Sequence, residues 1–443
     1  MNALIRPIPV LALTLAVAGL AHAAAPEAVF MKAAKKGDKA AMVKAAEAMA
    51  EQPSKKGVQV MIKVGALFPS IDVYNACQEA LAAAVKDAEL REEIGKALEK
   101  SKRVEQRSLC VDAMSSSKDK AALPFLAKAL DDREKPVRVS AIQGLVGMKL
   151  RECIPPLYER LAKVGFDSKD AEAEELYDAL HKLTGQAHEN LDDWKKWYEA
   201  VGESFNPGKV ATGGGSGTRL RDGGKGEGKI FETVVRSQAF VLVLDISSSM
   251  RVIDLPPGET WKDPKTKKEK KYKDPDPSGR KAPHKYSRFT RAKEAFVKFI
   301  EGMSQRARFA IVVFGEKKDT KLWKKEVVQA NPKNKKAAIA FVQKLKWSGA
   351  TRTDLALEQA FAVEGADTIY LFSDGVPEQI KGGKTVDIPH DEVIEKAQTL
   401  NRARKLRLNC YGMTSSSKTR AFLTKLATEN GGEYKDIRAP AKK

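Results

Sequence analysis

Apolar positions change their spacing twice along the chain. From Pro26 to about Val201 they recur every three or four residues among Ala, Leu, Lys and Glu, the period of a helix with one buried face. Within this part "LPFLAKALDDREKPVRVSAIQGLVGMK" precedes "IPPLYERLAKVG", so Leu123-Pro124 and Leu126 return as Ile154-Pro155 and Leu157. Such a return marks stacked helix pairs, with a proline opening the first helix, Asp131-Asp132 at the turn and "VRVSAIQGL" forming the second. The stretch "LTGQAHENLDDWKKWYEAV" predicts a closing helix begun by Asp192 or Asp193, whose Trp194, Trp197 and Tyr198 cover the last repeat as core.

Residues 202–230 contain "NPGKVATGGGSGTRLRDGGKGEGK", a Gly-, Ser- and charge-rich run that cannot bury a core and reads as a flexible linker. Beyond it, over 231–438, short apolar runs alternate with helical spacing. "AFVLVL", "RFAIVVF", "TIYLFS" and "LRLNCYGM" predict strands; "FTRAKEAFVKFIEGM", "NKKAAIAFVQKL", "DLALEQAFAV", His390 to about Arg402 and "SKTRAFLTKLATE" predict helices. The expected fold is therefore α/β and doubly wound, a mainly parallel sheet with helices on both faces, behind a separate all-α domain at 26–201. In such sheets ligands bind beyond the carboxyl ends of the strands.

Composition adds to this picture. The chain has 443 residues, enough for two folded domains, and 78 basic against 58 acidic residues give a net charge of +20. That balance favours anionic partners without identifying one. At the start, Arg6, an apolar stretch from Pro7 to Leu20 and Ala21-His22-Ala23 have the layout of a cleaved export signal over residues 1–23, so a periplasmic or extracellular location is expected. No later apolar run is long enough to span a bilayer. Cys77, Cys110, Cys153 and Cys410 show no Cys-x-x-Cys pair; Cys410, in a strand-like run, is expected as a buried thiol, and a pairing among the other three stays open.

The apolar run "AFVLVL" ends on "DISSSM", an acid and three serines where a strand leaves the core. Asp245, Ser247 and Ser249 thus fall on the predicted ligand-binding edge. Thr351, in "SGATRTDLAL" before a helix, and Asp374, in "LFSDG" after a strand, fall on the same edge. Taken singly, each has an ordinary use as a cap or turn residue. Together they offer hydroxyls and two carboxylates on converging loops, the donor set of a hard cation such as Mg²⁺. No His or Cys joins them, which argues against zinc. No phosphate-binding Gly-x-x-x-x-Gly-Lys-Ser/Thr and no Gly-x-Ser-x-Gly elbow is present, and no histidine has triad or metal spacing.

At these five residues the sequence resembles the von Willebrand factor type A domain and its metal-ion-dependent adhesion site, over about Phe231 to Ile437. The Asp131–Asp132 unit resembles HEAT-like repeats. The first resemblance implies that Ser247, Ser249 and Thr351 are hydroxyl ligands, and that Asp245 and Asp374 bind Mg²⁺, or Mn²⁺ or Ca²⁺, directly or through water. It also implies a protein partner that completes the site with a Glu or Asp carboxylate. The family's common Gly-Gly-Thr stands here as Gly349-Ala350-Thr351. The expectation is an exported, non-enzymatic binding or adhesion module, with a second protein partner on the repeats. The alternatives are a regulatory or scaffold subunit of an enzyme complex, or a binder of anionic polymers or lipids through a basic insertion at 251–288; nucleic acid is the less favoured partner. That insertion joins the first strand to its helix and so should rise from the metal-bearing edge, where its lysines would act mainly on association rate.

Overall fold

A computed structural model describes residues 24–166, 168, 171–210, 229–230, 233–235, 237–253, 260–262, 268–271, 287–413 and 416–437. The expected signal at 1–23, most of the linker and most of the basic insertion lie outside the described residues.

The amino-terminal part is all helix among its described residues: α1 (Pro26–Lys36), α2 (Lys39–Glu51), α3 (Lys55–Lys63), α4 (Ile71–Ala84), α5 (Ala88–Lys100), α6 (Val104–Ser116), α7 (Leu123–Ala129), α8 (Lys135–Met148), α9 (Ile154–Val164), α10 (Ala171–Thr184) and α11 (Leu191–Ala200). Helices α2, α4, α6, α8 and α10 pack each against the next in one layer, and each also packs on a helix of the second layer. The repeat read from sequence is the start of α7 and of α9, where Pro124 and Pro155 occupy the first turn, a position that needs no amide hydrogen. Buried Arg107 on α6 locks one unit to the next. Its fork meets both oxygens of Asp132 at 2.9 and 3.0 Å and its remaining nitrogen reaches the Ser101 carbonyl at 2.9 Å.

Helix α11 closes the stack, with one difference from expectation. Its cap is Asn190, whose side chain accepts from the Asp193 amide at 2.9 Å; Asp192 and Asp193 sit in the first turn, where the helix dipole favours acids. Trp194 is fully buried, packed edge-on to His188 and Trp197. All four cysteines are buried free thiols, and Cys410 lies on a strand.

The carboxyl-terminal part contains short ribbons β1 (Lys229–Ile230) with β2 (Thr233–Val234) and β4 (Thr260–Lys262) with β5 (Glu269–Lys271), separated by β3 (Ala239–Asp245). Then follow α12 (Arg288–Gly302), β6 (Arg308–Phe314), β7 (Lys321–Leu322), β8 (Val328–Gln329), α13 (Pro332–Gln343), α14 (Thr353–Ala362), β9 (Thr368–Ser373), the hairpin β10 (Glu378–Lys381) and β11 (Lys384–Asp387), α15 (His390–Asn401), β12 (Arg407–Gly412), α16 (Ser417–Thr428) and β13 (Tyr434–Asp436). The main sheet runs β13-β12-β9-β3-β6-β7, with β8 also on β6; β3, β6, β9, β12 and β13 are parallel and the edge pieces β7 and β8 antiparallel. Every residue of β3 is buried, because it is covered on both faces. Phe240, Leu242 and Leu244 pack with α12 and α13, while Val241 and Val243 pack with α14, α15 and α16. This is the doubly wound architecture expected from the alternating pattern.

The two parts touch along the amino ends of the strands. Lys405, just before β12, pairs with Asp112 of α6 at 2.8 Å, Lys135 of α8 with Asp367 beside β9 at 3.0 Å, and the Ile71 amide donates to Thr399 of α15 at 3.1 Å. The carboxyl edge of the sheet is thereby left on the opposite side from the helical stack. No helix among the described residues is long and apolar enough to cross a membrane.

Candidate metal centre

The chain leaves β3 to build β6 on one side, then returns to build β9 on the other. The crevice at the carboxyl ends of β3 and β9 is where the winding reverses, so loops there diverge and leave room for a ligand. Asp245 ends β3 and Asp374 follows β9, which places both acids in that crevice.

Asp245 is fully buried. Its Oδ1 accepts the Ser247 amide at 2.8 Å and its Oδ2 accepts the Ser373 hydroxyl at 2.6 Å. Burial, followed by the charge of Asp374, pushes its carboxyl up to about 7, against the lowering effect of those two donors. Ser247 Oγ and Ser249 Oγ lie 2.9 Å apart, and Ser249 donates to Asp374 Oδ1 at 2.7 Å. The other oxygen of Asp374 accepts from Arg288 Nη1 at 2.7 Å, and both side chains are buried.

Thr351 joins from the loop after α13. The chain passes so close that Ser348 N reaches the Ile246 carbonyl at 2.7 Å and Ser248 N the Gly349 carbonyl at 3.0 Å, stitching the two loops by their backbones. The turn itself needs glycine, because Gly349 has φ +68° and a Cβ there would fall 2.5 Å from Cβ of Glu316 on the loop after β6. The second residue of the family's Gly-Gly pair, Ala350 here, fits buried in the loop. Thr351 is itself buried and does not cap the next helix, whose N-cap position is Arg352. A Cβ built on Gly375 would lie 3.3 Å from Thr351 Oγ1 and 3.4 Å from Ser249 Oγ, so these two hydroxyls converge over a glycine from two separate loops.

All five residues picked from sequence are thus brought together around the end of β3. Their donors suit a hard divalent ion. A hydroxyl that gives its hydrogen to a carboxylate, as Ser249 does, keeps lone pairs for a cation. The 2.9 Å between the two serine oxygens also matches the edge of an octahedron with ligands at about 2.05 Å. Among the described residues no three His, Cys, Asp or Glu side chains gather as a metal group. Two participants were not visible in the sequence. Ser373 is recognisable only once the register sets the end of β9 against the end of β3, and Arg288 carries no motif.

Comparison with known proteins bears on the fold of the carboxyl-terminal part. Residues 280–436 match the family model described as the von Willebrand factor type A domain. The matched span contains Arg288, Thr351 and Asp374 and begins after the Asp245–Ser249 loop, whose position the sheet itself supplies. Two solved structures are similar over 47% of this chain. One is a von Willebrand factor type A protein from Catenulispora acidiphila, at 19% identity and TM-score 0.31, of which 40% is covered. The other is a point mutant of the PilB minor pilin from Streptococcus sanguinis, at 16% identity and TM-score 0.31, of which 59% is covered. The chain therefore spans about two fifths and three fifths of the lengths of these relatives.

Proposed function

The carboxyl-terminal part of this chain is a von Willebrand factor type A domain, and from that premise we propose that it is an exported, non-enzymatic binding module. In this reading it holds a divalent cation, Mg²⁺ or a close relative, and captures a protein partner through an acidic side chain. The observation that carries the reading is the convergence of Ser247, Ser249 and Thr351 hydroxyls with Asp245 and Asp374 at the switch point of the sheet.

Each residue has a distinct task. The three hydroxyls present neutral oxygens. Asp245 and Asp374 supply the negative charge, and Ser373 with the Ser247 amide holds Asp245 in one orientation. A bound divalent ion would supply residual positive charge and an exchangeable position for a partner's carboxylate. With only two carboxylates in the set, that residual charge stays available to the partner. Among the described residues the helical stack docks on the far edge from the crevice, so the repeats are free to engage a second partner while the first is held. Export is supported by the layout of residues 1–23.

The test is partner capture from an extract by the full chain, in magnesium, in chelator, and with Asp374→Ala in magnesium. The reading expects a partner in the first case and none in the other two. A partner retained equally in chelator contradicts it.

A further inference from the structure

We propose that Arg288 is an internal competitor for the cation, a fixed positive charge that occupies one oxygen of Asp374 and sets how strongly the site takes a divalent ion. The inference rests on the reading that the site is a divalent-cation site, and it concerns regulation of that site.

The pair is unusual in its burial. The Arg288 side chain is 7% exposed and that of Asp374 is fully buried, with 2.7 Å between Nη1 and Oδ2. A guanidinium keeps its charge throughout the accessible pH range, so the neutralisation of Asp374 is permanent while the contact lasts. With Oδ1 accepting the Ser249 hydroxyl, both oxygens of this carboxylate are engaged. A divalent ion drawing on Asp374 must displace the guanidinium or share the carboxylate with a like charge a few ångströms away. Either alternative weakens the ion's hold.

The backbone holds Arg288 in place from two directions. It is the first residue of α12, and the Ser287 side chain caps that helix by accepting the Thr290 amide at 3.1 Å. Its own amide donates to the Val252 carbonyl at 3.0 Å, and Ile253 bridges Ser287. Residues 252–253, three and four positions after Ser249, are thus tied to residues 287–288. The guanidinium cannot leave Asp374 without a change in its rotamer or in this neck.

The same contact has a second consequence. Without an ion, two buried acids at the ends of β3 and β9 would repel each other. Arg288 offsets that repulsion and keeps the ion-free domain folded. Removing it makes the ion, when present, do the same work.

The experiment measures Mn²⁺ binding by calorimetry and thermal melting of the full chain, for wild type and Arg288→Gln. Arg288→Gln is expected to bind Mn²⁺ roughly tenfold more tightly or better. It should also melt lower in chelator and gain more in melting temperature from saturating Mn²⁺ than wild type does. Equal or weaker affinity in the variant overturns the competition while leaving the cation site standing. Absence of Mn²⁺ binding in both proteins overturns the site and the competition together. If the variant does not fold, the wild type answers alone: the Arg288 side-chain ¹⁵N resonance should shift along the Mg²⁺ binding curve. A resonance that stays fixed through saturation refutes displacement.

Discussion

Glu175 on α10 faces Arg407 at the start of β12 across the junction of the two parts, with 3.9 Å between the closest oxygen and nitrogen. The second oxygen of Glu175 is buried with no hydrogen-bond partner among the described residues, and the side chain is 18% exposed. Burial pushes its carboxyl up to about 7, more strongly than Arg407 and Lys135 pull it down.

A pH dependence follows. Because the folded value lies above the ordinary carboxyl value of 4.5, the docked protein binds the extra proton between about 4.5 and 7. The stabilisation is fully present below that window, falls as pH rises through it, and is flat above it; its upper bound is about 3 kcal/mol. Asp245 also has a raised carboxyl, so the wild-type curve is a sum. Urea unfolding at pH 5 and pH 7.5 should show a smaller difference in Glu175→Gln than in wild type. An identical difference would remove Glu175 from the account.

Ser373 supplies the hydroxyl donor to Asp245 Oδ2. Ser373→Ala leaves that oxygen buried and short of a partner, which should cost about 1–3 kcal/mol in urea unfolding. It should also weaken Mn²⁺ binding, since Asp245 loses its fixed orientation. A variant as stable as wild type would mean that another donor replaces the hydroxyl.

Gly375 is a sharper probe of convergence. A methyl at Gly375→Ala would press on Thr351 Oγ1 and Ser249 Oγ at 3.3 and 3.4 Å. Calorimetry should show roughly tenfold weaker Mn²⁺ binding. The melting temperature in chelator should move little, because the contacts are with two hydroxyls and no backbone atom is crowded. Gly147→Ala on α8, where a methyl meets open space and the backbone is helical, is the control and should leave Mn²⁺ affinity unchanged.

Much of this was legible in residue spacing. The all-buried β3 announces itself as an unbroken apolar run, and Asp245, Ser247 and Ser249 follow because a strand covered on both faces must end where polar groups begin. Pro124 and Pro155 mark helix starts for an equally local reason. The edge pieces β7 and β8 are two residues each and the β10–β11 hairpin is largely exposed, so neither has an apolar period to detect. Asn190, and neither Asp192 nor Asp193, caps α11, since several residues of a polar run can cap and only geometry selects one. Ser373 and Arg288 act across 128 and 86 residues of chain, a pairing that depends on register and winding and leaves no local trace.

The central claim is that five side chains from three loops surround one divalent ion. Anomalous diffraction from crystals of the full chain grown with manganese tests it most directly. The account predicts a single strong peak within about 2 to 2.5 Å of Ser247 Oγ and Ser249 Oγ, with Asp374 and Thr351 facing it. A map with no peak at the carboxyl end of β3, or with the ion bound to other residues, would contradict it.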